Sequence, residues 1–454
     1  MKTQVARLFD EPGPTGSVAD VVAPALAPYT LIDSCRSCGA KDLEVFLSLG
    51  MMPLANALTA SREEAITGAQ YPLRVAFCPE CTLVQILETV EPQILYQRNY
   101  PYFSSFSDRW VAHCERNAKD LMKEHALGSR DLVVELASND GSLLRWFREG
   151  GVPVLGIDPA GGPAQVAIDR GIPTVVDFFT RELAIELRNA GTRASMIIGN
   201  NVLAHVPDQN DFVAGVSALL DSDGVAVFEF PYVGDLIEHG EFDTIYHEHH
   251  CYFSVHAVQR LFARHCLQLT RVDHLETHGG SLRCQFTRQG QVDPSVNDFL
   301  DRERAEGMVD FSYYRDFGER VEDIRRHLRA LLVELKSHGS RVAAYGAAAK
   351  GATLLNYAQI GDDLIEYVVD RNRYKQGWYM PGAGLEVRDP QVLQTEQPDY
   401  TLLLAWNHAP EIAEQLSPYL EQGGRFIVPI PWPRVTDGQL GKGQETDLLE
   451  VGQP

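Results

Sequence analysis

The chain has 454 residues, of which 44 % are hydrophobic and 9 % aromatic, so it can build packed cores and is not disordered as a whole. At about 150 residues per domain, this length predicts about three domains. Acidic residues outnumber basic ones by 62 to 40, a net charge of −22, which excludes a general nucleic-acid or membrane-surface binder because both partners need a basic face. A local basic pocket for a small phosphate ligand is compatible with that charge.

Residues 1–30 are rich in Ala, Pro and Gly and are predicted to form a mobile leader. They lack the charged start and apolar core of a signal peptide. No apolar run in the chain approaches the roughly 18–20 residues that span a bilayer. We therefore expect a cytoplasmic enzyme, monomeric or homodimeric, with no membrane or nucleic-acid partner.

Two C-x2-C pairs lie in the next segment, residues 31–90: Cys35 with Cys38, and Cys78 with Cys81. Each pair lets two thiolates face one ion from a tight turn, and four thiolates complete the tetrahedral set that Zn²⁺ prefers. The alternative is two unrelated pairs of free or disulfide-bonded cysteines. We predict a zinc-binding domain with a closed, structural site.

Short apolar runs alternate with helix-like segments from residue 131 onward. They are DLVVELA (131–137), VPVLGID (152–158), PTVVD (173–177), ASMIIGN (194–200) and GVAVFEF (224–230). This βαβ rhythm predicts a doubly wound, mostly parallel sheet. We assign it to a Rossmann-like middle domain over residues 91–290.

A long charged helical stretch is predicted at about 293–338, followed by a second alternation of apolar runs. These runs are RVAAYGAAAKG (341–351), LIEYVVD (364–370), YTLLLAW (400–406) and RFIVPI (425–430). The pattern predicts a second Rossmann-like α/β domain over 291–435 and a polar tail over 436–454.

The first strand of the middle domain ends in a small-residue turn, within VVELASNDGSLL (133–144). Such a turn lets backbone N–H groups approach a ligand, but it has one glycine and lacks the G-x-G-x-x-G dinucleotide pattern. The next strand ends at Asp158, placed to accept hydrogen bonds from a ribose diol. Asp177 and Phe178 end the third run, where they could hold an adenine.

Together these features predict a class I S-adenosylmethionine site. The alternative is an ordinary α/β loop whose Asn139 and Asp140 cap a helix. The predicted cofactor-binding residues are Glu135, Ser138, Asn139, Asp140, Gly141, Asp158, Asp177, Phe178 and Asn200.

The string IYHEHHCYFS (245–254) is the most unusual in the chain. It lacks the i, i+4 spacing of an H-E-x-x-H metal site, and a polar loop of hydrogen-bonded histidines is the other alternative. A His or Glu of suitable pKa can abstract a proton beside a carbonyl, and a tyrosine hydroxyl can hydrogen-bond the resulting enolate oxygen. The segment NYPYFSSFS (99–107) and His205 could converge on this string. The predicted catalytic residues are His249, Glu248, Tyr246, His205, Tyr100 and Tyr102.

Several strings in this order resemble the three-domain sugar C-methyltransferases of deoxysugar biosynthesis. Besides the two C-x2-C pairs they are ELASNDG (135–141), YHEHHCYF (246–253), HGGSLR (278–283) and GAAAKGATLLN (346–356). The resemblance covers about residues 31–430. It implies methyl transfer from S-adenosylmethionine to a carbon beside the keto group of a nucleotide-linked 4-ketohexose.

The resemblance also implies roles for individual residues. The base falls in the pair Glu248 and His249, without a choice between them. A supporting tyrosine falls on Tyr246, a further histidine on His205, and a second tyrosine on Tyr100 or Tyr102.

The string AAYGAAAKGATLLNY (343–357) predicts a strand, a small-residue turn and a helix in the C-terminal domain. Lys350 adds a positive charge near the helix start, so this turn could bind the diphosphate of a sugar nucleotide. The alternative is that Gly346 and the alanines only permit close helix–sheet packing. The predicted substrate-binding residues are Ser104, Ser105, His278, Arg283, Gly346, Lys350 and Asn356.

The sequence thus predicts C-methylation of a nucleotide-linked 4-keto-deoxysugar through a base-generated enolate. We favour C3 of a dTDP-sugar over C5 or C2. The alternatives are an O- or N-methyltransferase, a nicotinamide-dependent oxidoreductase that uses the C-terminal domain, and a non-enzymatic zinc scaffold. The absent G-x-G-x-x-G pattern counts against the oxidoreductase, and the string at 245–254 counts against the scaffold.

Overall fold

The computed structural model describes residues 29–96, 103–106, 108–275 and 279–438. The predicted leader (apart from its last two residues) and most of the predicted tail lie outside these ranges. In the part described, three units of secondary structure build four β-sheets. None of the helices described there has the length and apolar character needed to cross a membrane.

The N-terminal unit is built mainly from antiparallel strands. Its elements are β1 (Tyr29–Leu31), β2 (Glu44–Pro53), α1 (Arg62–Thr67), β3 (Gln70–Phe77), β4 (Val84–Ile86), β5 (Glu88–Val90) and α2 (Pro92–Tyr96). β2, β3 and β4 pair antiparallel in one sheet, and β1 pairs with β5. Leu47 and Leu49 of β2 are buried while Ser48 is exposed, because successive side chains of a strand point to opposite faces.

The middle unit contains the first α/β sheet. Its elements are α3 (Asp108–Glu124), β6 (Val133–Leu136), α4 (Leu144–Glu149), β7 (Val154–Ile157), α5 (Gly161–Asp169), β8 (Thr174–Val175), α6 (Arg181–Asn189), β9 (Ala194–Asn200), α7 (Gln209–Leu219), β10 (Leu220–Pro231), α8 (Val233–His239), β11 (Cys251–Tyr252), α9 (Val255–Ala263), β12 (Gln268–Leu275) and β13 (Ser281–Thr287). Seven strands form a sheet in the order β12-β13-β10-β9-β6-β7-β8.

Strands β10, β9, β6, β7 and β8 of this sheet run parallel, while β13 runs antiparallel to β10. Every residue of β6 is buried, as expected for a parallel strand that is covered on both faces. The predicted doubly wound, Rossmann-like sheet is confirmed.

The C-terminal unit contains the second α/β sheet. Its elements are α10 (Pro294–Ala305), α11 (Ser312–Arg315), α12 (Phe317–Ser337), β14 (Val342–Tyr345), α13 (Ala349–Tyr357), β15 (Val368–Val369), β16 (Val387–Arg388), α14 (Val392–Glu396), β17 (Tyr400–Leu403), α15 (Ala409–Gln415), α16 (Ser417–Glu421), β18 (Arg425–Val428) and β19 (Arg434–Thr436). The strand order is β16-β15-β14-β17-β18-β19, with only the β18–β19 pair antiparallel.

The helical stretch predicted at 293–338 is three helices rather than one. Gly307 has a φ of 81°, and a left-handed glycine just beyond the last turn is a common helix stop. The break lets the helices separate: α10 packs on α9 and β12 of the middle unit, whereas α12 packs on β2 of the N-terminal unit.

All three units meet around one region. β11, which lies within the unusual string at 245–254, pairs with β4 and so becomes the fourth strand of the N-terminal sheet. α13 of the C-terminal unit packs on β2 and on the short 3-10 turn Phe242–Thr244. The loop that carries this string is therefore held between units.

Candidate active site

The two C-x2-C pairs converge in the N-terminal unit. The four Sγ atoms of Cys35, Cys38, Cys78 and Cys81 lie within 4.8 Å of one another, and two of the Sγ–Sγ distances are 3.5 Å. Sulfur atoms at about 2.3 Å from a tetrahedral zinc ion stand about 3.8 Å apart. The donor set therefore fits one zinc ion with four thiolates and no open position.

A tight turn between β6 and α4 carries most of the predicted cofactor residues. Ala137, Asn139 and Gly141 have φ values of 56°, 49° and 75°, so the chain turns sharply three times. Asn139 N donates to Asp158 Oδ2 at 2.8 Å, which ties the turn to the end of β7. A Cβ on Gly156 would lie 2.4 Å from Ser138 Oγ; glycine is what allows this close approach.

A cavity of about 900 Å³ opens beside this turn, large for a small-molecule site. Five predicted cofactor residues line it: Asn139, Asp158, Asp177, Phe178 and Asn200. The other four, Glu135, Ser138, Asp140 and Gly141, are not on its wall. Both polar atoms of the Asn200 amide are buried with no hydrogen-bond partner among the described residues. A buried amide without partners suits a bound polar ligand.

Burial shifts the pKa of two acidic side chains next to the turn, Glu135 and Asp158. Burial raises the pKa of Glu135, and the nearby carboxylates of Asp158 and Asp140 raise it further. Burial also raises the pKa of Asp158, while the backbone N–H groups of Ala160 and Asn139 oppose that shift. Each Asp158 oxygen accepts one of these N–H groups.

The segment before α3 lies against the same turn. Ser104 N donates to Asn139 Oδ1 at 2.9 Å, and Ser105 N donates to Asp140 Oδ2 at 3.3 Å. Ser104 lines the cavity and Ser105 does not. The predicted residues Tyr100, Tyr102 and His278 lie outside the described residues.

The string at 245–254 places Tyr246, Glu248 and His249 on the cavity wall, together with His205 from the short 3-10 turn that follows β9. Tyr246 Oη lies 2.8 Å from His249 Nε2, and His249 Nδ1 lies 2.8 Å from Thr244 O. Because a carbonyl oxygen only accepts, Nδ1 carries a proton. In a neutral His249 ring, Nε2 then accepts the hydroxyl proton of Tyr246. The His205 and His249 rings meet edge to face at 4.6 Å.

Glu248 is the buried carboxyl of this group, with 3 % of its surface exposed. Asn56 Nδ2 from the N-terminal unit donates to Glu248 Oε1 at 2.7 Å. Burial raises the pKa of Glu248 to about 7, opposed by the Asn56 hydrogen bond and by the charge of Lys375. Burial lowers the pKa of His205 to about 4. Near neutral pH, His205 is therefore uncharged and Glu248 is poised between its two protonation states.

The C-terminal unit closes the other side of the cavity with Lys350 and Lys375. Lys350 Nζ lies 4.0 Å from Glu241 Oε2 and 4.6 Å from the centre of the Trp406 ring. The indole Nε1 of Trp406 donates to Asp243 Oδ2 at 2.7 Å. The predicted substrate cation Lys350 is thus on the wall, but buried acids of the middle unit face it.

Besides Ser105, three predicted substrate residues do not line the cavity. A Cβ on Gly346 would lie 2.9 Å from Ala405 Cβ, which matches the packing alternative for this glycine. Asn356 Nδ2 donates to Ala352 O and to Pro381 O. Arg283 Nε donates to the buried Glu229 Oε1 at 2.7 Å. The contacts of Asn356 and Arg283 are internal to the protein, and neither residue lines the cavity, so their substrate role stays a prediction.

Sequence reasoning missed several residues of the cavity wall, among them Asn56, Arg109, Trp110 and His113. The last three lie in the first turns of α3. Helical periodicity indicates which face of α3 is apolar, but not which cavity that face meets. Asn56 lies in a loop with no motif of its own.

Three family models match the chain in the predicted order. They describe a zinc binding domain at residues 35–96, a methyltransferase domain at 109–272 and a C-methyltransferase C-terminal domain at 276–431. The C-methyltransferase NovU of Streptomyces niveus is 37 % identical over 411 residues, which covers 90 % of this chain and 98 % of NovU.

Solved structures give weaker likenesses. Magnesium protoporphyrin IX methyltransferase from Synechocystis PCC 6803 with bound S-adenosylmethionine is 14 % identical over 40 % of this chain and 82 % of that one, with a TM-score of 0.30. An S-adenosylmethionine-dependent methyltransferase from Anabaena variabilis is 13 % identical over 40 % of this chain and 87 % of that one, with a TM-score of 0.34.

The relative and the family models together decide the class of enzyme. They confirm the predicted S-adenosylmethionine-dependent C-methyltransferase, with S-adenosylmethionine and zinc as its cofactors. The chain belongs to the family of three-domain C-methyltransferases that includes NovU.

Proposed function

We propose that this enzyme methylates the carbon beside the C4 ketone of a nucleotide-linked 4-keto-deoxysugar, with C3 of a dTDP-sugar as the favoured position. The observation that carries the proposal is the group of Glu248, Tyr246, His249 and His205 on one cavity wall. A carbon beside a ketone becomes a nucleophile only after it loses a proton. Such a site therefore needs a base and a partner for the enolate oxygen.

Glu248 is the proposed base. Its pKa of about 7 lies where a general base is most effective at neutral pH. The C–H bond beside the ketone breaks, its proton goes to a Glu248 carboxylate oxygen, and its electron pair forms the enolate. His249 is the second candidate, but its Nε2 already pairs with the hydroxyl of Tyr246.

Tyr246 is the proposed partner of the enolate oxygen. When His249 is protonated, both of its ring nitrogens donate, Nε2 to Tyr246 Oη and Nδ1 to Thr244 O. The hydroxyl proton of Tyr246 can then turn toward the substrate. The neutral ring of His205 lies on the same wall and is a second group for that oxygen.

The residues beside the β6–α4 turn fit the methyl donor. Asp158 is proposed to accept hydrogen bonds from the ribose hydroxyls of S-adenosylmethionine. Among the described residues, each of its carboxylate oxygens accepts from one backbone N–H and keeps a further lone pair. Asp177 and Phe178 are proposed to hold the adenine, and the amides of Asn139 and Asn200 the methionine part. Bound S-adenosylmethionine supplies an electrophilic methyl group.

The cations on the cavity wall support a phosphate-bearing substrate. Arg109, Lys350 and Lys375 line the cavity of a chain with a net charge of −22, which suits a phosphate-bearing substrate.

The four cysteines are proposed to hold zinc as a structural ion, because four thiolates leave it no open coordination position.

The test is the structure of the product. The enzyme is incubated with S-adenosylmethionine carrying a ¹³C-labelled methyl group and a dTDP-linked 4-keto-6-deoxyhexose, and the product is examined by NMR. We expect the labelled methyl protons to correlate with the carbon beside the ketone. A label bonded to oxygen or nitrogen would contradict the proposal, as would methylation of the free sugar but not of its nucleotide-linked form.

A further inference from the structure

The N-terminal unit touches the string at 245–254 at several points. Ile86 N donates to His250 O at 3.0 Å, and β4 pairs with β11 directly after it. His247 Nε2 lies 3.0 Å from Pro72 O, where the ring must donate because a carbonyl only accepts. The residues on both sides of Glu248 are therefore held by the zinc-binding unit.

The contact to Glu248 itself comes from Asn56. This residue lies in the loop between β2 and α1, where Ala57 N donates to Leu54 O at 3.1 Å and closes a tight turn. The turn fixes the side chain beside the cavity, which Asn56 also lines. Its Nδ2 then reaches Glu248 Oε1 at 2.7 Å, a short hydrogen bond between units.

The groups around Glu248 make this hydrogen bond important. Among the described residues, Asn56 of the N-terminal unit donates to the Glu248 carboxylate, and the charge of Lys375 of the C-terminal unit acts on it. His205 of the middle unit hydrogen-bonds the backbone of Glu248, and its ring meets the ring of His249. Asn56 is a neutral donor, and a donor to a carboxylate favours the ionised form. In a buried place, rotating the carboxylate away from its donor leaves a polar group unsatisfied.

We propose that Asn56 is a positioning residue of the methyl-transfer reaction, which holds the Glu248 carboxylate in the orientation that receives the substrate proton. The zinc-binding unit then contributes directly to the active site. This inference rests on the proposed role of Glu248 as the base.

The test replaces Asn56 in the full-length, zinc-loaded enzyme. Asn56→Leu removes the donor, and Asn56→Asp keeps the size but opposes two carboxylates. Ser61→Ala is the matched control: it removes the Ser61 Oγ cap of α1 in the same unit, and Ser61 does not line the cavity. Zinc content and S-adenosylmethionine affinity are measured for every variant and are expected to equal those of the wild type.

The decisive readout is the pH profile of kcat. Loss of the donor raises the pKa of Glu248, so the acid limb of Asn56→Leu moves to higher pH by about one unit, with kcat lowered about 10–100-fold at neutral pH. In Asn56→Asp a second carboxylate disfavours ionisation further, so the limb moves higher still. Ser61→Ala keeps the wild-type limb. A uniform loss of kcat in both Asn56 variants, with an unmoved limb, would overturn the inference.

A double variant separates this inference from the proposed function. Glu248→Gln is expected to abolish the acid limb, and adding Asn56→Leu to it should cost less than about threefold more, because Asn56 acts through Glu248. If the losses of kcat in the two single variants multiply in the double variant, the positioning role of Asn56 is overturned and the proposed function is not. If Glu248→Gln keeps the wild-type kcat and the acid limb of the wild-type pH profile, the proposed base is overturned and, with it, the role of Asn56.

Discussion

The two α/β units close their first turns in the same way. In the middle unit, Asn139 N donates to Asp158 Oδ2, an aspartate at the end of the neighbouring strand, at 2.8 Å. In the C-terminal unit, Ala347 N donates to Asp370 Oδ2 at the equivalent place, also at 2.8 Å. In each case the other carboxylate oxygen accepts from the backbone N–H two residues after the aspartate, at 2.8 and 2.7 Å.

The two turns differ in how they lie relative to the cavity. Asp158 lies on the cavity wall, and the middle turn has three left-handed residues that lead the chain along it. Asp370 is not on that wall, and Gly346 of the C-terminal turn packs against Ala405. Its cation, Lys350, faces Glu241. The C-terminal turn still brings Lys350 to the cavity wall, but its aspartate and its glycine lie away from that wall. The backbone device alone therefore does not indicate which residues of a turn line a cavity.

The largest expected effect comes from a comparison of two buried acids of the middle unit. Glu248→Gln should lower kcat by about 10²–10⁴-fold, the usual contribution of a general base. Glu241→Gln changes another buried acid, which faces the C-terminal unit, and should lower kcat less than tenfold. Steady-state kinetics at saturating substrates compares them. Equal losses of kcat in the two variants would contradict the proposal that Glu248, and not Glu241, is the base.

The next largest effect comes from a comparison of Asp158 and Asp370, the two aspartates that accept the backbone N–H groups of the turns. Asp158→Asn and Asp370→Asn each set an NH₂ group against a backbone N–H, so both should lower Tm. Only Asp158→Asn should lower the affinity for S-adenosylmethionine, by about 10–100-fold, since hydrogen bonds to a charged group contribute about 1.5–3 kcal/mol. Calorimetric titration measures this. Comparable losses of affinity in the two variants would erase the distinction between the turns.

The pH dependence should follow Glu248. As a base it must be ionised, so kcat should fall about tenfold per pH unit below its pKa, which burial raises to about 7. Activity is therefore retained above that pH and lost as the pH falls through it. Asp370→Asn should keep the wild-type midpoint, because that side chain is not on the cavity wall. A profile without a limb near pH 7 would count against Glu248.

The smallest expected effect is a change in stability. Gly346 has a φ of 101°, and a Cβ there would lie 2.9 Å from Ala405. Gly346→Ala should therefore lower the free energy of unfolding by about 1–2 kcal/mol and leave S-adenosylmethionine affinity unchanged. Gly141→Ala, at a φ of 75°, should lower both. Thermal unfolding and titration of the two variants provide the check, and a loss of affinity in Gly346→Ala would contradict the packing role.

Much of the fold could be predicted from the sequence because its signals are local. The strands of both α/β sheets are continuous apolar runs, since parallel strands are buried on both faces. The C-x2-C pairs and the string at 245–254 concentrate metal ligands and titratable groups within a few residues of each other.

The wall of the active site depends on long-range contacts and could not be predicted in full. Arg283 and Asn356 are occupied by Glu229 and Pro381, partners that local sequence does not indicate. Asn56 reaches Glu248 across 192 positions of sequence. Which polar residues of a turn face a cavity and which lie beneath it is likewise decided by packing.

The most direct test of the enolate mechanism is deuterium exchange without a methyl donor. The wild-type enzyme and Glu248→Gln are incubated in D₂O with a dTDP-linked 4-keto-6-deoxyhexose, and the proton beside the ketone is followed by NMR. The wild type should replace this proton by deuterium, and Glu248→Gln should do so at least 100-fold more slowly. Exchange at equal rates in the two enzymes, or methyl transfer by a wild type that exchanges nothing, would contradict the mechanism.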